Sequence, residues 1–262
     1  MKPGSKRISY YFLPVFAAVS YLFLYIPIIV LVVFSFNNAK FPSHWVGFTT
    51  RWYTELLYDT QVWSAFYNSL IIAVSSVLLS ITLAVALVYG ASSRLKKLFV
   101  LFYGSVLLPE IVLAVGLLSF FSFFSVPLGL TTLIVGHTLL GLGFAVPIIH
   151  ARFEELEQNL TEASLDLGAT PAQTFFKINL PLLFPAVLAA ALLVLIISFD
   201  DFLISFFCSG SSTQTISLYI FAMIRSGVSP VINALSTIIL GISIIIVLML
   251  SLFKTRLTDS LT

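Results

Sequence analysis

Six separated runs of apolar residues, each long enough to cross the hydrocarbon core of a bilayer, constrain this chain more than any other feature. A crossing helix needs about 20 residues, and the runs fall at residues 8–36, 64–91, 98–124, 130–150, 182–206 and 232–253. They predict an all-α polytopic membrane protein with six transmembrane helices in a single transmembrane domain, residues 1–262. Charged residues are 9% of the sequence and hydrophobic ones 59%, a balance that excludes an ordinary soluble domain. The first run follows Lys2, Lys6 and Arg7, but it is too long for a signal peptide and lacks a small-residue cleavage site, so it is expected to be retained. Cys208 is the single cysteine, which excludes an intrachain disulfide and a thiolate metal site. Helix packing in lipid has to hold the fold.

An even number of crossings puts both termini on one side, and the basic residues choose the side. With cytoplasmic termini, the inner segments carry Lys2, Lys6, Arg7, Arg94, Lys96, Lys97, Arg152, Lys177, Lys254 and Arg256, and the outer ones carry Lys40, Arg51 and Arg225. Basic residues concentrate on cytoplasmic loops. Segments 37–63 and 207–231 are therefore expected outside, and 151–181 in the cytoplasm. Trp52, Tyr53, Trp63 and Tyr67 fit an aromatic belt at the outer interface.

The expected cytoplasmic segment contains a long polar interlude, EASLDLGATPAQTFFKINLP, residues 162–181. Asn159 with Glu162 three residues later has the form of a capping box, which predicts a short helix from about Leu160 to Gly168. Thr170, Pro171 and Gln173 have the form of a second start, for a helix ending before Pro181. Phe175, Phe176 and Ile178 give this second helix an apolar surface that the protein itself, lipid or a partner must cover. Glu162 and Asp166, four apart, share a face that suits a basic partner. Capping alone is equally consistent with a solvated loop containing helical turns.

The spacing Glu162, Ala163, Gly168, Ile178, Leu180 and Pro181 resembles the EAA loop of ABC importer permeases, with Ser164 in place of the second alanine. In that family the elbow is the coupling helix, docked into a groove of the cytoplasmic ATPase. The resemblance makes Glu162, Ala163, Asp166, Gly168, Ile178, Leu180 and Pro181 the ATPase-coupling residues. It extends over nearly the whole chain. The segments FNNAKFPSHWVGFTTRWYTELL, LLPEIVLAVGLL, SFDDFLISFF and IRSGVSPVINALSTIILG resemble the second permease subunit of spermidine/putrescine importers, the PotC type. That resemblance implies a PotB-type partner permease, an ATPase subunit dimer, an external polyamine-binding protein and a polyamine substrate, in a bacterial inner membrane and without nucleic acid. The chain has no GxxxxGK[ST] phosphate loop, so it is expected to be a non-enzymatic subunit without a cofactor, ATP and magnesium being bound by the ATPase. Gly141 and Gly143 lie within a span and read as helix-packing residues.

Three carboxylates lie within apolar runs: Glu110, Asp200 and Asp201. An intramembrane charge costs about 2.5 to 3.5 kcal/mol on insertion scales, so each is a candidate for the substrate pathway. Counted along a continuous helix from Lys97, Glu110 lies about 20 Å deep, past the middle of the core. Pro109 before it is expected to kink or break that helix. Asp200 and Asp201 fall in the outer half of the fifth span, and if the helix persists only one can face the pathway squarely. Asp201 is the favoured member, with Asp200 as the alternative and capping of the span by these acids as the simpler reading. The family resemblance adds Ser198 and, in the outer loop, Trp45, which is equally consistent with an interfacial anchor. A cation over an aromatic ring gains about 0.5 to 2 kcal/mol.

Ser217, Tyr219 and Val231 depart from the family's pattern, where Pro, Lys and an acid are expected, and they are expected to bear on docking or specificity. A permease for ferric iron, thiamine or a phosphonate is the alternative within the architecture. Acids in the spans, with no deep Lys or Arg, count against an anion. A proton-coupled secondary transporter is disfavoured by the polar elbow and by the absence of an evident repeat between the two halves. His137 and His150 are too far apart in sequence for a helical metal-ligand pair.

Overall fold

A computed structural model describes residues 5–39, 44–90, 99–105, 107–156, 158–211, 213–227 and 230–259, in two compact units. Lys2, Lys40, Arg94, Lys96 and Lys97, used above to orient the chain, lie outside the described residues. Every regular element is helical, among the described residues. The helices are α1 (Ser5–Phe34), α2 (Arg51–Tyr58), α3 (Thr60–Gly90), α4 (Phe99–Ser105), α5 (Glu110–Phe123) and α6 (Leu130–Glu155). They continue as α7 (Gln158–Asp166), α8 (Pro171–Thr174), α9 (Leu180–Asp200), α10 (Leu203–Cys208), α11 (Ile216–Ser226) and α12 (Pro230–Asp259). Among the described residues, four helical stretches are individually long and apolar enough to cross a membrane: Pro14–Phe34, Thr60–Gly90, Leu130–Glu155 and Pro171–Asp200. Shorter apolar helices cover Glu110–Phe123, Ile216–Ser226 and Pro230–Ile245.

The first unit joins Met1–Thr60 with Ile220–Thr262. Within it α12 packs against both α1 and α2. The segment after α1 is clasped by the buried side chain of Asn37. Its Nδ2 donates to the His44 carbonyl at 2.7 Å, its Oδ1 accepts from the Val46 N–H at 2.9 Å, and its own carbonyl accepts from Trp52 Nε1 at 2.7 Å. Phe36 stacks on Phe48 with centroids 5.4 Å apart. Trp52 is thus part of this clasp and only 5% exposed, which corrects its place in an interfacial belt. The belt reading also missed α2, whose short amphipathic pattern is hidden in a polar stretch.

The second unit, Gln61–Tyr219, is organised around α6, which packs against α4, α9 and α10. One core cluster joins Ala84 and Val88 of α3, Phe99 of α4, Leu142, Val146 and Ile149 of α6, and Val194 of α9. Another joins Ile72, Ala114, Leu117, Phe121, Leu133, Ile204 and Cys208. Close approach depends on two glycines of α6. A Cβ on Gly141 would lie 2.8 Å from Val194 Cγ1, and one on Gly136 would lie 2.7 Å from Ile204 Cγ2 and 3.3 Å from Leu117 Cδ1. Small residues serve this purpose between helices in lipid, where packing rather than the hydrophobic effect drives association. Gly136→Ala is therefore expected to push α10 away from α6 and destabilise the chain by about 1 to 3 kcal/mol, read as a lower melting temperature of the purified protein in detergent.

Two expected spans are interrupted. The third divides into α4 and α5, with Pro109 immediately before α5 (φ −57°, ψ 128°). Proline has no N–H to continue the ladder and excludes the helical conformation of the residue before it. The depth assigned to Glu110 along a continuous helix is corrected accordingly: Glu110 is the first residue of a new helix. The fifth breaks at Asp201, which is extended (φ −60°, ψ 128°), and resumes as α10. It also begins earlier than expected. The second elbow helix does not stop before Pro181, because a π turn over Phe175–Asn179 carries α8 directly into α9. Pro181 cannot donate to the carbonyl four residues back, and the wider turn accommodates that missing bond, with the Leu180 N–H bonding the Phe175 carbonyl. Segment 207–231, expected to be a loop, contains α11.

Candidate functional site

The interrupted helices bring three expected pathway acids together. Asp200 closes α9 and is exposed, Glu110 opens α5 and is exposed, and Asp201 lies in the break that follows α9. Helix α5, which Glu110 opens, packs against α10, which follows Asp201, and the three acids are near enough to act on one another electrostatically. Two helix interruptions therefore converge on one acidic cluster. Broken helices at membrane depth are tolerated where their freed backbone groups are buried in protein or line a polar cavity. The aromatic rings of Trp63, Phe66 and Phe199 run in edge contact beside it, with centroids 6.1 and 5.8 Å apart.

Asp201 is not the exposed member of the pair. Its side chain is 0% exposed. Oδ1 accepts the Ile204 N–H at 3.3 Å and Oδ2 accepts the Ser205 N–H at 2.9 Å, so the carboxylate caps the first turn of α10. Oδ2 also lies 3.4 Å from Nε2 of the equally buried His137. Ser198, one turn earlier on α9, meets the other ring nitrogen, with Oγ 2.8 Å from Nδ1. The helix does not persist through the pair: Asp200 ends α9 and is exposed, and Asp201 lies buried in the break.

The sequence reading missed His137, Ser205 and Ser217 as parts of this site. The Ser217 hydroxyl donates to the Asp201 backbone carbonyl at 2.6 Å, so the departure from Pro at this position supplies a partner for the broken strand of chain. Tyr219 and Val231, the other two departures, are buried. His137 carried a usable signal, because an ionisable side chain inside an apolar span is a functional candidate by default. Trp45 lies in the other unit, 50% exposed.

The elbow has local features that explain its shape. Helix α7 ends with the Ala169 N–H bonding the Ser164 carbonyl at 3.1 Å and the Gly168 N–H bonding that of Leu165 at 2.9 Å. Gly168 has φ +88°, the left-handed conformation that glycine adopts without steric cost. Thr170 and Gln173 form a reciprocal cap, at 2.9 and 3.3 Å, with Pro171 in the first turn of α8. Helix α7 starts at Gln158, so Asn159 lies inside its first turn and not at a cap. Ser164, the departure from the EAA pattern, is buried with its Oγ 2.8 Å from Thr174 Oγ1. This hydroxyl pair and the Thr161 to Asn179 side-chain bond at 3.2 Å join α7 to the helix that leads into the membrane. Ser164→Ala should cost about 1 kcal/mol, because Thr174 keeps its bond to the Thr170 carbonyl, and thermal unfolding of the purified chain measures it.

The outer face of the elbow presents Glu162, Ala163, Asp166 and Gly168 to solvent, with Leu167 89% exposed beside them. Leu167 was not singled out from the sequence, where a leucine before glycine reads as an ordinary helix end. Ile178 and Leu180 are half-buried and Pro181 is exposed. Of the second helix's apolar residues, Phe175 packs on Tyr89 of α3 at 4.5 Å, while Phe176 remains exposed.

A profile of the family described as "Binding-protein-dependent transport system inner membrane component" matches residues 76–259. The chain is 37% identical over 238 residues to the spermidine/putrescine transport system permease protein PotC of Escherichia coli, covering 89% of this chain and 90% of that protein. It is 35% identical over 232 residues to the putrescine transport system permease protein PotI of the same organism, covering 84% and 83%. Among solved structures, a chain of a bacterial ABC transporter involved in importing the acidic polysaccharide alginate matches 97% of this chain and 98% of its own length. The TM-score is 0.72 at 17% identity. A chain of the MetNI methionine ABC transporter matches 82% of this chain, with a TM-score of 0.54 at 18% identity. These structural likenesses concern the fold alone.

Proposed function

From the premise that the chain belongs to the binding-protein-dependent transport system inner membrane components, we propose that it forms half of the translocation pathway of an ATP-driven importer of spermidine and putrescine. It is a non-catalytic, multi-pass inner-membrane permease subunit. In the proposed assembly it crosses the membrane six times with both termini cytoplasmic and pairs with a PotB-type permease. An ATPase dimer lies below and a polyamine-binding protein delivers substrate from outside. ATP and magnesium reside on the ATPase, and this chain carries no cofactor.

The observation that carries the substrate class is the convergence of Glu110, Asp200 and Asp201 at two helix interruptions. Among the described residues, the basic side chain facing this cluster is a histidine, not a lysine or arginine. An acidic cluster held at a broken-helix junction without a fixed cation favours a cation in passage. Polyamines supply ammonium groups separated by methylenes, which suit carboxylates and the neighbouring aromatic rings. Glu110 and Asp200 are the exposed contacts, Asp201 supplies charge from within, and Trp45 receives substrate on the outer side. Coupling is assigned to the elbow, with Glu162, Ala163, Asp166 and Gly168 facing the ATPase and Ile178, Leu180 and Pro181 joining the elbow to α9.

The test is uptake of labelled spermidine, in the presence of excess unlabelled putrescine, phosphate or an amino acid, by cells expressing the complete transporter. Competition by putrescine alone supports the reading. Competition by an anion, with none by putrescine, overturns it.

A further inference from the structure

We propose that His137 is the positioning residue of the acidic cluster, a buried imidazole that faces Asp201 and orients it without the permanent charge of a lysine or arginine. The inference rests on the cation-pathway reading above and adds to it a residue on a different helix.

His137 lies in the first third of α6, beside Gly136, where the absence of a Cβ lets α10 and α5 come close. Its ring is buried and bridges two elements. Nδ1 is 2.8 Å from Ser198 Oγ on α9, and Nε2 is 3.4 Å from Asp201 Oδ2 and 3.5 Å from Ser205 Oγ on α10. An ionised carboxylate only accepts hydrogen bonds, so the Nε2 contact is attractive when that nitrogen carries the proton; Nδ1 then accepts from the Ser198 hydroxyl. Ser198 fixes the ring, the ring faces the carboxylate, and two backbone N–H groups of α10 hold the carboxylate from the other side. The remaining acids around Asp201 are Glu110 from α5 and Asp200 from α9.

The identity of the donor matters. Lysine or arginine at this position would bring a permanent charge and pair off the acid, leaving less attraction for a substrate cation. An apolar residue would leave Asp201 buried with one fewer partner, which is costly for a carboxylate. Neutral imidazole avoids both problems, since one nitrogen donates while the other accepts. A residue serving only as core filling would be replaced as well by leucine as by glutamine, whose amide N–H can still reach the carboxylate.

The test uses the complete transporter in proteoliposomes with His137→Gln, His137→Leu, His137→Asn, Asp201→Asn and the His137→Leu/Asp201→Asn double variant. Assembly is checked by co-purification with the ATPase, and the readout is the initial rate of labelled spermidine uptake. The proposal expects His137→Leu to lose about tenfold or more and His137→Gln to stay within about threefold of the parent. The double variant should be no slower than Asp201→Asn, because the donor has no work once the carboxylate is gone. Equal rates for Gln and Leu overturn it. If the Leu variant does not assemble, Gln is compared with the shorter Asn: uptake kept by Gln and lost by Asn supports the proposal, and equal uptake overturns it. Failure of Gln, Leu and Asn alike to assemble overturns it in favour of a purely structural role. If Asp201→Asn transports normally, Asp201 is not part of the cation pathway and the proposal falls with it. If Asp201→Asn is impaired while His137→Leu is not, only the role of His137 fails.

Discussion

Asp201→Asn is expected to lower polyamine uptake by at least about tenfold while the chain still inserts and binds its partners. The substitution is nearly isosteric, so the loss is chemical. Asparagine removes a buried negative charge from beside Glu110 and presents an amide where two backbone donors and an imidazole now converge. Its single carbonyl oxygen can satisfy only part of that set, which adds a stability cost of about 1 to 3 kcal/mol. Two readouts separate the effects: melting temperature reports the cap on α10, and uptake per assembled transporter reports the charge. Uptake per assembled transporter equal to the parent's would remove Asp201 from the pathway and leave it a capping residue.

Glu162→Arg is expected to abolish uptake by a different route. Glu162 is exposed on α7 on the same surface as Asp166 and Leu167, so reversing its charge should leave the fold of the chain intact. Against a basic ATPase groove, a like charge at an interface costs several kcal/mol, about 10²-fold or more in affinity. Co-purification of the ATPase should be lost, uptake should fall with it, and the melting temperature of the isolated chain should stay unchanged. Retention of a coupled complex at the parent's ATP-driven uptake rate would mean that the ATPase docks elsewhere.

Local chemistry was readable in advance and tertiary chemistry was not. Thr170, Pro171 and Gln173 specify a helix start among immediate neighbours, and Gly168 specifies a stop, so the elbow could be drawn from its own residues. Pro109 signalled the break before Glu110 for the same reason. The break at Asp201 has no such local sign. It depends on His137 in α6, the N–H groups of α10 and the Ser217 hydroxyl, which are distant in sequence and meet only after α6 and α9 have packed. Hydrophobicity counting therefore drew the helix straight through the break. Pro181 misled in the opposite direction, because a proline reads as a stop when the π turn that accommodates it is not visible. Helices α2 and α11 were lost inside segments read as loops, where short amphipathic patterns compete poorly with long apolar runs for attention. Ser164 and Ser217, noted as departures from a pattern, proved to be hydrogen-bonded at 2.8 and 2.6 Å.

The central claim is that polyamine import runs through this chain. Uptake of labelled spermidine and putrescine into cells expressing the whole transporter, with the chain present, deleted and restored, tests it most directly. The account predicts that deletion abolishes uptake of both and that the parent chain restores it, whereas Glu162→Arg does not. Uptake that continues undiminished after deletion would contradict it.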